Sequence, residues 1–505
     1  MRILRTLWIL AASSSMAVAQ TNSTAPVRPL SLQDCVQLAL QHNLDLQIDR
    51  YNPQIAQFTL AGDYGAYDPT FTLSGQHDHN EAGNQLLGGG FIIPGSVSDD
   101  NSFNGGLSGV TPIGTTYSLQ GSTRDQWGHS FGLLNSNIVA IPFENTGASA
   151  SLSATQPLLK NFLIDNNRLV IRIAKNRLKY SEWQLKLQVM LTITTLEQAY
   201  YDLIYNRENL VVQQKAVELA ERLVMENRKR LEVGALAPLD LQSAEAQAAS
   251  SRAAVIAANS QLGTQERLLK SLITDAYTTE WAGVTIEPVE KLTAPAPVVN
   301  LQDSWAKGLN ERPELRQAKL DVERQGIVLK YDKNQLLPEI DAFGTYGFNG
   351  SGKEFSDAFG DFKTLDRTFY TYGGKITVPL ANLRARNSYK ADKANMQQLV
   401  LTLKQLEQNI LIQIDNDIGT IKANYDQVQA TRAAREYEEA ALDAEQKKLE
   451  SGKSTTYTVL QVQRDLTTAR GNEIQALDTY KKSLSQLSVH EGSTLERLQI
   501  KWETK

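Results

Sequence analysis

Cysteine occurs once in 505 residues, which excludes an intramolecular disulfide and any multi-cysteine metal site. Histidine occurs five times, too few for a histidine-rich metal centre. A basic excess is absent as well: 51 Lys and Arg face 56 Asp and Glu, a net charge of −5. Such a chain is poorly suited to neutralising phosphates, so nucleic acid is not expected as a partner. Patterns that carry chemistry are also missing. Gly88-Gly89-Gly90 is followed by neither a helix nor a Lys-Ser/Thr pair, so it reads as an external loop and not a phosphate loop. No short motif orders Ser, His and Asp as a triad. His77 and His79 share one face of a strand, which could hold zinc, but no third ligand accompanies them. They read as polar barrel-loop residues. No cofactor, no metal and no enzymatic activity are expected.

The N-terminus has the layout of a secretory signal. Arg2 and Arg5 supply the charge, Leu7 to Ala12 an apolar stretch, and Ala17-Val18-Ala19 a small-x-small cleavage site before Gln20. Removing the two arginines leaves 49 − 56 = −7. No later stretch offers about 18 uninterrupted apolar residues, so no helix is expected to span a bilayer. Cys35 lies well past the cleavage site. It reads as a small buried helix residue, not as a lipidated first residue.

The chain repeats itself. Leu32-Gln33-Asp34 recurs as Leu301-Gln302-Asp303, and at the same shift of 269 Leu40, Leu46 and Pro69 meet Leu309, Leu315 and Pro338. Gln156-Pro157-Leu158 resembles Val378-Pro379-Leu380, and Leu231-Glu232-Val233-Gly234 resembles Leu449-Glu450-Ser451-Gly452. Pro69 to Pro157 is 88 residues, whereas Pro338 to Pro379 is 41, so the first half carries 47 extra residues there.

From about Asn161 to Val233 there is neither proline nor glycine. Val189, Leu196, Leu203, Leu210, Val217, Val224 and Leu231 recur every seven positions, the mark of a coiled coil or helix bundle. Ile414, Ile421, Val428, Leu442 and Leu449 repeat that stripe in the second half, interrupted at Glu407 and Arg435. About 70 residues at 1.5 Å each make a rod of roughly 110 Å. Gly234 ends the first rod, and Pro238 suits the first turn of a returning helix. Gly452 ends the second, and Ser454, Thr455 and Thr456 offer N-caps. Each half thus carries a helical hairpin. The other faces of these helices are rich in Gln, Asn, Glu and Lys, which suits water.

Strict alternation marks the strands. Ala148, Ala150, Leu152 and Ala154 alternate with Ser149, Ser151, Ser153 and Thr155. Ile113, Thr115, Tyr117 and Leu119 share a face, as do Ile340, Ala342, Gly344, Tyr346 and Phe348, and Tyr370, Tyr372, Gly374, Ile376 and Val378. Strands of about ten residues with one small, polar face suit a water-lined transmembrane barrel; a soluble sandwich with one buried face is the alternative. Two strands in the second half and four to six in the first cannot close a barrel alone. Open edges are not tolerated in lipid, so a membrane barrel requires several chains.

At this point the sequence resembles the TolC-like outer-membrane efflux proteins over nearly the whole mature chain. The resemblance rests on Leu32-Gln33-Asp34 with Ala39-Leu40 and Asn43-Leu44, on Gln156-Pro157-Leu158-Leu159, and on Val233-Gly234-Ala235. Its most specific element is the duplicated strand and long-helix plan. It implies an α+β membrane protein built from two internal repeats, a homotrimer with one outer-membrane β-barrel continued by a long α-helical periplasmic tunnel. A periplasmic adaptor (membrane fusion protein) and an inner-membrane transporter are the implied partners, with outer-membrane lipid around the barrel. The duct is passive and opens at its periplasmic tip. A periplasmic coiled-coil adaptor is the alternative, although it would need one hairpin and not two.

On this plan residues 1–19 are the signal, 20–66 an N-terminal helical segment, 67–157 barrel strands and 158–275 the first hairpin with its tip near 234–238. Residues 276–299 form an equatorial linker, 300–336 a helical segment, 337–380 barrel strands, 381–490 the second hairpin with its tip near 452–456, and 491–505 a tail. Familiar members place four strands per chain in the membrane, twelve per trimer. Stretches near Leu107 to Val110 and Thr115 to Gly121 add a hairpin here, either crossing the membrane, for eighteen strands, or extending outside it; twelve is the favoured expectation. Some members carry two aspartates three residues apart after the second tip. Thr458 and Gln461 stand at those positions, so the acidic rings are missing. Asp240 holds the matching place after the first tip and is a candidate for a gate or inter-helix bonding role; the alternative is a charge near a helix N-terminus, which the dipole favours. Arg228-Lys229-Arg230 before the first tip reads as a solvated helical face; the alternative is an adaptor docking contact at Arg228 and Arg230 with Gly234, Ala235, Leu236, Gly452, Lys453 and Ser454.

Overall fold

The computed structural model describes residues 26–87, 91–134 and 137–500. The expected signal and Gln20, and the Gly88–Gly90 loop, lie outside these residues. The described chain divides into two compact units. One comprises the chain up to Leu44, Thr192–Val298 and Asp417–Leu487; the other comprises Asp45–Leu191, Val299–Asn416 and the chain from Ser488.

In chain order the strands are β1 (Val27–Leu30), β2 (Thr70–Glu81), β3 (Gln85–Leu87), β4 (Phe91–Ile93), β5 (Val97–Val110), β6 (Thr116–Leu134), β7 (Asn137–Pro157), β8 (Thr285–Pro288), β9 (Glu339–Gly352) and β10 (Thr368–Thr377). The helices are α1 (Leu32–His42), α2 (Leu44–Asp49), α3 (Tyr51–Asp63), α4 (Asn166–Glu232), α5 (Pro238–Ile273), α6 (Thr279–Gly283), α7 (Leu301–Glu311), α8 (Pro313–Gln335), α9 (Phe355–Thr364), α10 (Leu383–Glu450), α11 (Thr456–Glu491) and α12 (Thr494–Arg497). No described helix is long and apolar enough to cross a membrane.

The repeat is visible in how the elements begin. Ser31 and Asp34 form a capping box at the start of α1, and Asn300 caps the start of α7. α4 and α10 are single helices of 67 and 68 residues. The first starts five residues later than the proline- and glycine-free run. Asn161 and Leu163 adopt left-handed backbone (φ 64° and 57°), and Asp165 accepts from the Arg168 amide at 2.9 Å as the cap. Asn382 (φ 41°) stands just before α10. Both rods therefore start behind a residue that turns the chain out of its strand.

The stripe of the second rod is buried as expected, with Ile414, Ile421 and Val428 fully covered and Leu442 and Leu449 nearly so. In the first rod Val189, Leu196 and Leu203 are buried, but Leu210, Val217, Val224 and Leu231 are half-exposed. Ala220, Leu223 and Asn227 take the covered places there. A helix of 3.6 residues per turn drifts against a seven-residue repeat, so the buried face moves along the rod.

In the unit holding the strands, β2, β5, β6, β7, β9 and β10 form one antiparallel sheet in the order β10-β9-β7-β6-β5-β2. Most of the 47 extra residues of the first half lie in the β5–β6 hairpin, 38 residues from Val97 to Leu134, which lies in this sheet and not beside it. Ile113 and Thr115 belong to its turn, where the Thr111 amide donates to the Thr115 carbonyl at 2.8 Å. Val378 lies beyond β10. α9 was not expected within the strand region. Its backbone at Ala358 and Phe362 packs so closely on Gly350 that a Cβ there would meet it at 2.4 Å. In the same unit Gly308 of α7 lets α10 approach, since a Cβ would meet Ile414 at 2.5 Å.

Candidate gate and docking site at the hairpin tips

Both hairpins turn by the same device. At the first tip the Ala235 amide donates to the Arg230 carbonyl at 2.8 Å and the Gly234 amide to Leu231 at 2.9 Å. At the second, Lys453 donates to Lys448 at 2.8 Å and Gly452 to Leu449 at 3.1 Å. This pattern needs a left-handed residue after the helix, and Gly234 and Gly452 supply it with φ of 75° and 74°. The return differs between the tips. Pro238 opens α5 without a side-chain cap. Thr455 caps α11, its hydroxyl accepting from the Thr458 amide at 3.2 Å, while Ser454 donates to Glu445 at 2.7 Å.

The two tips are joined. Leu223, Leu442, Leu449, Val459, Leu460 and Leu466 form one apolar cluster, with Leu219 and Val462 against it. Beside it, Arg230 donates to the Leu449 carbonyl at 3.2 Å. Buried Asn227 accepts from Thr456 at 3.4 Å. Arg230 thus ties the end of α4 to the end of α10, a role that its sequence context did not reveal. Arg228 forms an exposed ion pair with Glu245 at 3.0 Å inside the first hairpin. Gly234, Ala235, Gly452 and Lys453 are exposed, and Leu236 and Ser454 are half-covered.

Asp240 is half-buried in the first turn of α5, where the helix dipole favours its charge. Among the described residues its carboxylate makes no hydrogen bond or ion pair. Thr458 shares a hydroxyl contact of 2.9 Å with Thr455, and Gln461 is exposed. The structure therefore places Thr458 in a cap and leaves Asp240 and Gln461 available.

The break in the apolar stripe at Arg435 has a partner set. Arg435 reaches Glu439 at 2.9 Å and Glu473 at 2.6 Å, Arg432 reaches Glu473 at 3.3 Å, and Arg470 reaches Glu439 at 2.7 Å. The Arg470 hydrogen bond is the main reason why Glu439 sits below its ordinary carboxylate range, with Arg435 adding to it. These contacts bind α10 to α11. A second cluster holds α11 to α4: Lys482 reaches Asp202 at 2.5 Å and deeply buried Asp478 at 2.8 Å. Burial pushes the Asp478 carboxyl up, against the pull of Lys482.

For Cys35 the structure agrees with the reading as a small buried helix residue. Cys35 is fully buried, and burial pushes its thiol up to about 12. His77 and His79 lie within β2 and not in a loop. His77 contacts Asn101 at 2.9 Å and His79 contacts Asp99 at 2.7 Å. Among the described residues no group of three or more His, Cys, Asp or Glu could hold a metal ion.

A sequence profile of the outer membrane efflux protein family matches residues 115–274 and 306–492. No curated protein matches the chain. Among solved structures, the outer-membrane channel OprN superposes with a TM-score of 0.66 at 15% identity, covering 92% of this chain and 90% of that one. The CmeC outer membrane channel of Campylobacter jejuni gives 0.65 at 15%, covering 93% and 88%. The outer membrane protein VceC of Vibrio cholerae gives 0.65 at 15%, covering 91% and 96%. At such identity the likeness is one of fold. The adaptor alternative finds no support, because the chain has two hairpins and matches channels. The profile spans more than half of the sequence, and so the chain belongs to the outer membrane efflux protein family and is an outer-membrane efflux channel extending into the periplasm.

Proposed function

We propose that three copies of this chain close one β-barrel in the outer membrane and one helical tunnel in the periplasm, forming the passive exit duct of a tripartite efflux or secretion system. The observation that carries this reading is the open sheet. Its edge strands β2 and β10 each have one neighbour among the described residues, and unpaired backbone groups are not tolerated in hydrocarbon. Copies of the same chain supply the missing neighbours. A periplasmic adaptor and an inner-membrane transporter supply cargo and energy.

The joined tips are the gate. The apolar cluster and the Arg230 tie hold α4 and α10 together, and partners that pull the tips apart open the duct. Asp240 and Gln461 face the passage beside Thr458. The exposed turns at Gly234, Ala235, Leu236, Gly452, Lys453 and Ser454 receive the adaptor, with Arg228 beside them and Arg230 held mainly as the tie. Reconstitution in a planar bilayer tests the duct. Purified protein alone is expected to be nearly closed and to open in brief steps; a bilayer that never conducts, under conditions where tip variants do not conduct either, would contradict it.

A further inference from the structure

The register of the sheet shows which residues share each of its two faces at one height. Thr70, Ser108, Ser118, Ser153, Thr345 and Thr371 are successive partners across all six strands. The row directly beside it is Phe71, Leu107, Leu119, Leu152, Tyr346 and Tyr370. Successive residues of a strand point to opposite faces. One face therefore carries an unbroken line of six hydroxyls, and the other an unbroken line of six apolar or aromatic side chains. The next outward row, Leu73, Gly105, Gly121, Ala150, Phe348 and Thr368, stays free of charge. Two rows above it the outer face turns polar at once in four strands, with His77, Asn101, Asp125 and Thr146 as partners.

The heights agree. On β9 the uncharged outer face below α9 runs from Ile340 to Phe348, eight steps of about 3.3 Å, or roughly 20 Å of membrane after a tilt of about 40°. That is near the height of about 25 Å of the apolar band on outer-membrane barrels. The β5–β6 hairpin occupies the same zone. Its turn lies beside Gln156 and Pro157: a Cβ on Gly114 would sit 3.4 Å from Pro157, and Thr115 contacts Gln156. Gln156 is the partner of Ala342, one outer-face step from Ile340. At the upper end Phe103 of the hairpin and Leu73 of β2 line, with Phe359 and Phe362 of α9, an apolar hollow of about 260 Å³. An extension standing in water has no reason to keep an apolar face in line with that of the wall.

We infer that the Val97–Leu134 hairpin crosses the outer membrane with its Leu107 and Leu119 face against lipid hydrocarbon, so that each chain contributes six membrane strands and the trimer eighteen. This inference rests on the barrel reading above. It replaces the four strands per chain expected from the family resemblance. With strands about 4.8 Å apart and tilted about 40°, eighteen strands make a barrel roughly 36 Å across, against roughly 24 Å for twelve. The membrane section is then half again as wide, with small Ser and Thr side chains lining it.

Quenching by brominated lipid separates the alternatives. Single cysteines at Leu119 and Ser118, and at Tyr346 and Thr345 for reference, are placed in full-length protein carrying Cys35→Ala. Each is labelled with a fluorophore and reconstituted in phosphatidylcholine vesicles with or without brominated acyl chains. Leu107→Cys and Ser108→Cys serve as a second pair should the first not insert. Leu119→Cys is expected to be quenched to the same extent as Tyr346→Cys, with Ser118→Cys and Thr345→Cys unaffected. Quenching at Tyr346→Cys without quenching at Leu119→Cys would overturn the inference and restore four membrane strands. Absence of quenching at both outer positions would instead overturn the barrel reading itself.

Discussion

Replacing Arg230 by alanine tests whether the tips hold each other shut. The guanidinium donates to the Leu449 carbonyl at 3.2 Å and joins the end of α4 to the end of α10. A hydrogen bond from a charged group is generally worth about 1.5–3 kcal/mol, and this one is long and half-exposed, so the lower figure of about 1.5 applies. If the bond exists only in the closed state, its loss moves the closed-to-open ratio by about tenfold. Single-channel recording of the full-length protein reads this as a comparable rise in open probability. Arg228→Ala is the control. It removes an exposed pair with Glu245, worth about 0–1 kcal/mol and confined to one hairpin, so the open probability should stay put. Arg230→Ala channels that open no more often than the parent, or Arg228→Ala channels that open as often as Arg230→Ala channels, would show that this bond does not hold the tips shut.

Three further outcomes follow from the same contacts. Gly234→Ala or Gly452→Ala forces a side chain into left-handed backbone at a cost of about 1 kcal/mol, so hydrogen exchange at the affected tip should quicken about fivefold while the other tip is unchanged. Leu460→Ala opens the apolar cluster at a cost of about 3 kcal/mol, and limited proteolysis should then cut at the tips before the sheet. Burial, with Asp392 beside it, raises the Asp332 carboxyl from 3.8 to about 6. A raised acid weakens the fold as pH climbs from 3.8 through 6, so Asp332→Asn should stabilise the protein by about 1 kcal/mol at pH 7.5, after allowance for solvent screening, and not at pH 4. Melting curves at the two pH values decide it.

The rods, their tips and the duplication were legible because each depends on local rules. A glycine ends a helix for the same reason wherever it stands, and a seven-residue stripe marks a buried seam. The five residues before α4 were not legible, since nothing in Asn161 to Asp165 forbids helix until the strand exit demands left-handed backbone. α9 left a signal in Phe355, Phe359 and Phe362, spaced for one helix face, but Asp and Lys between them read as loop. The upper part of β5 lacks alternation because both faces carry polar side chains there: Asp99 and Asn101 on one, and on the other Asp100, which is buried and paired with Arg124. At the tips the sequence pointed to Arg228 and Arg230 as a pair. Only packing distinguishes them, because the Leu449 carbonyl that Arg230 reaches lies 219 residues away. The same holds for Arg435, which looked like a flaw in the stripe until Glu439 and Glu473 stood opposite it.

Native mass spectrometry on detergent-extracted outer membranes, separated from inner membranes, addresses the shared barrel most directly. A species of three chains, each starting at Gln20, is expected in the outer-membrane fraction. A single chain in the soluble periplasmic fraction would contradict it.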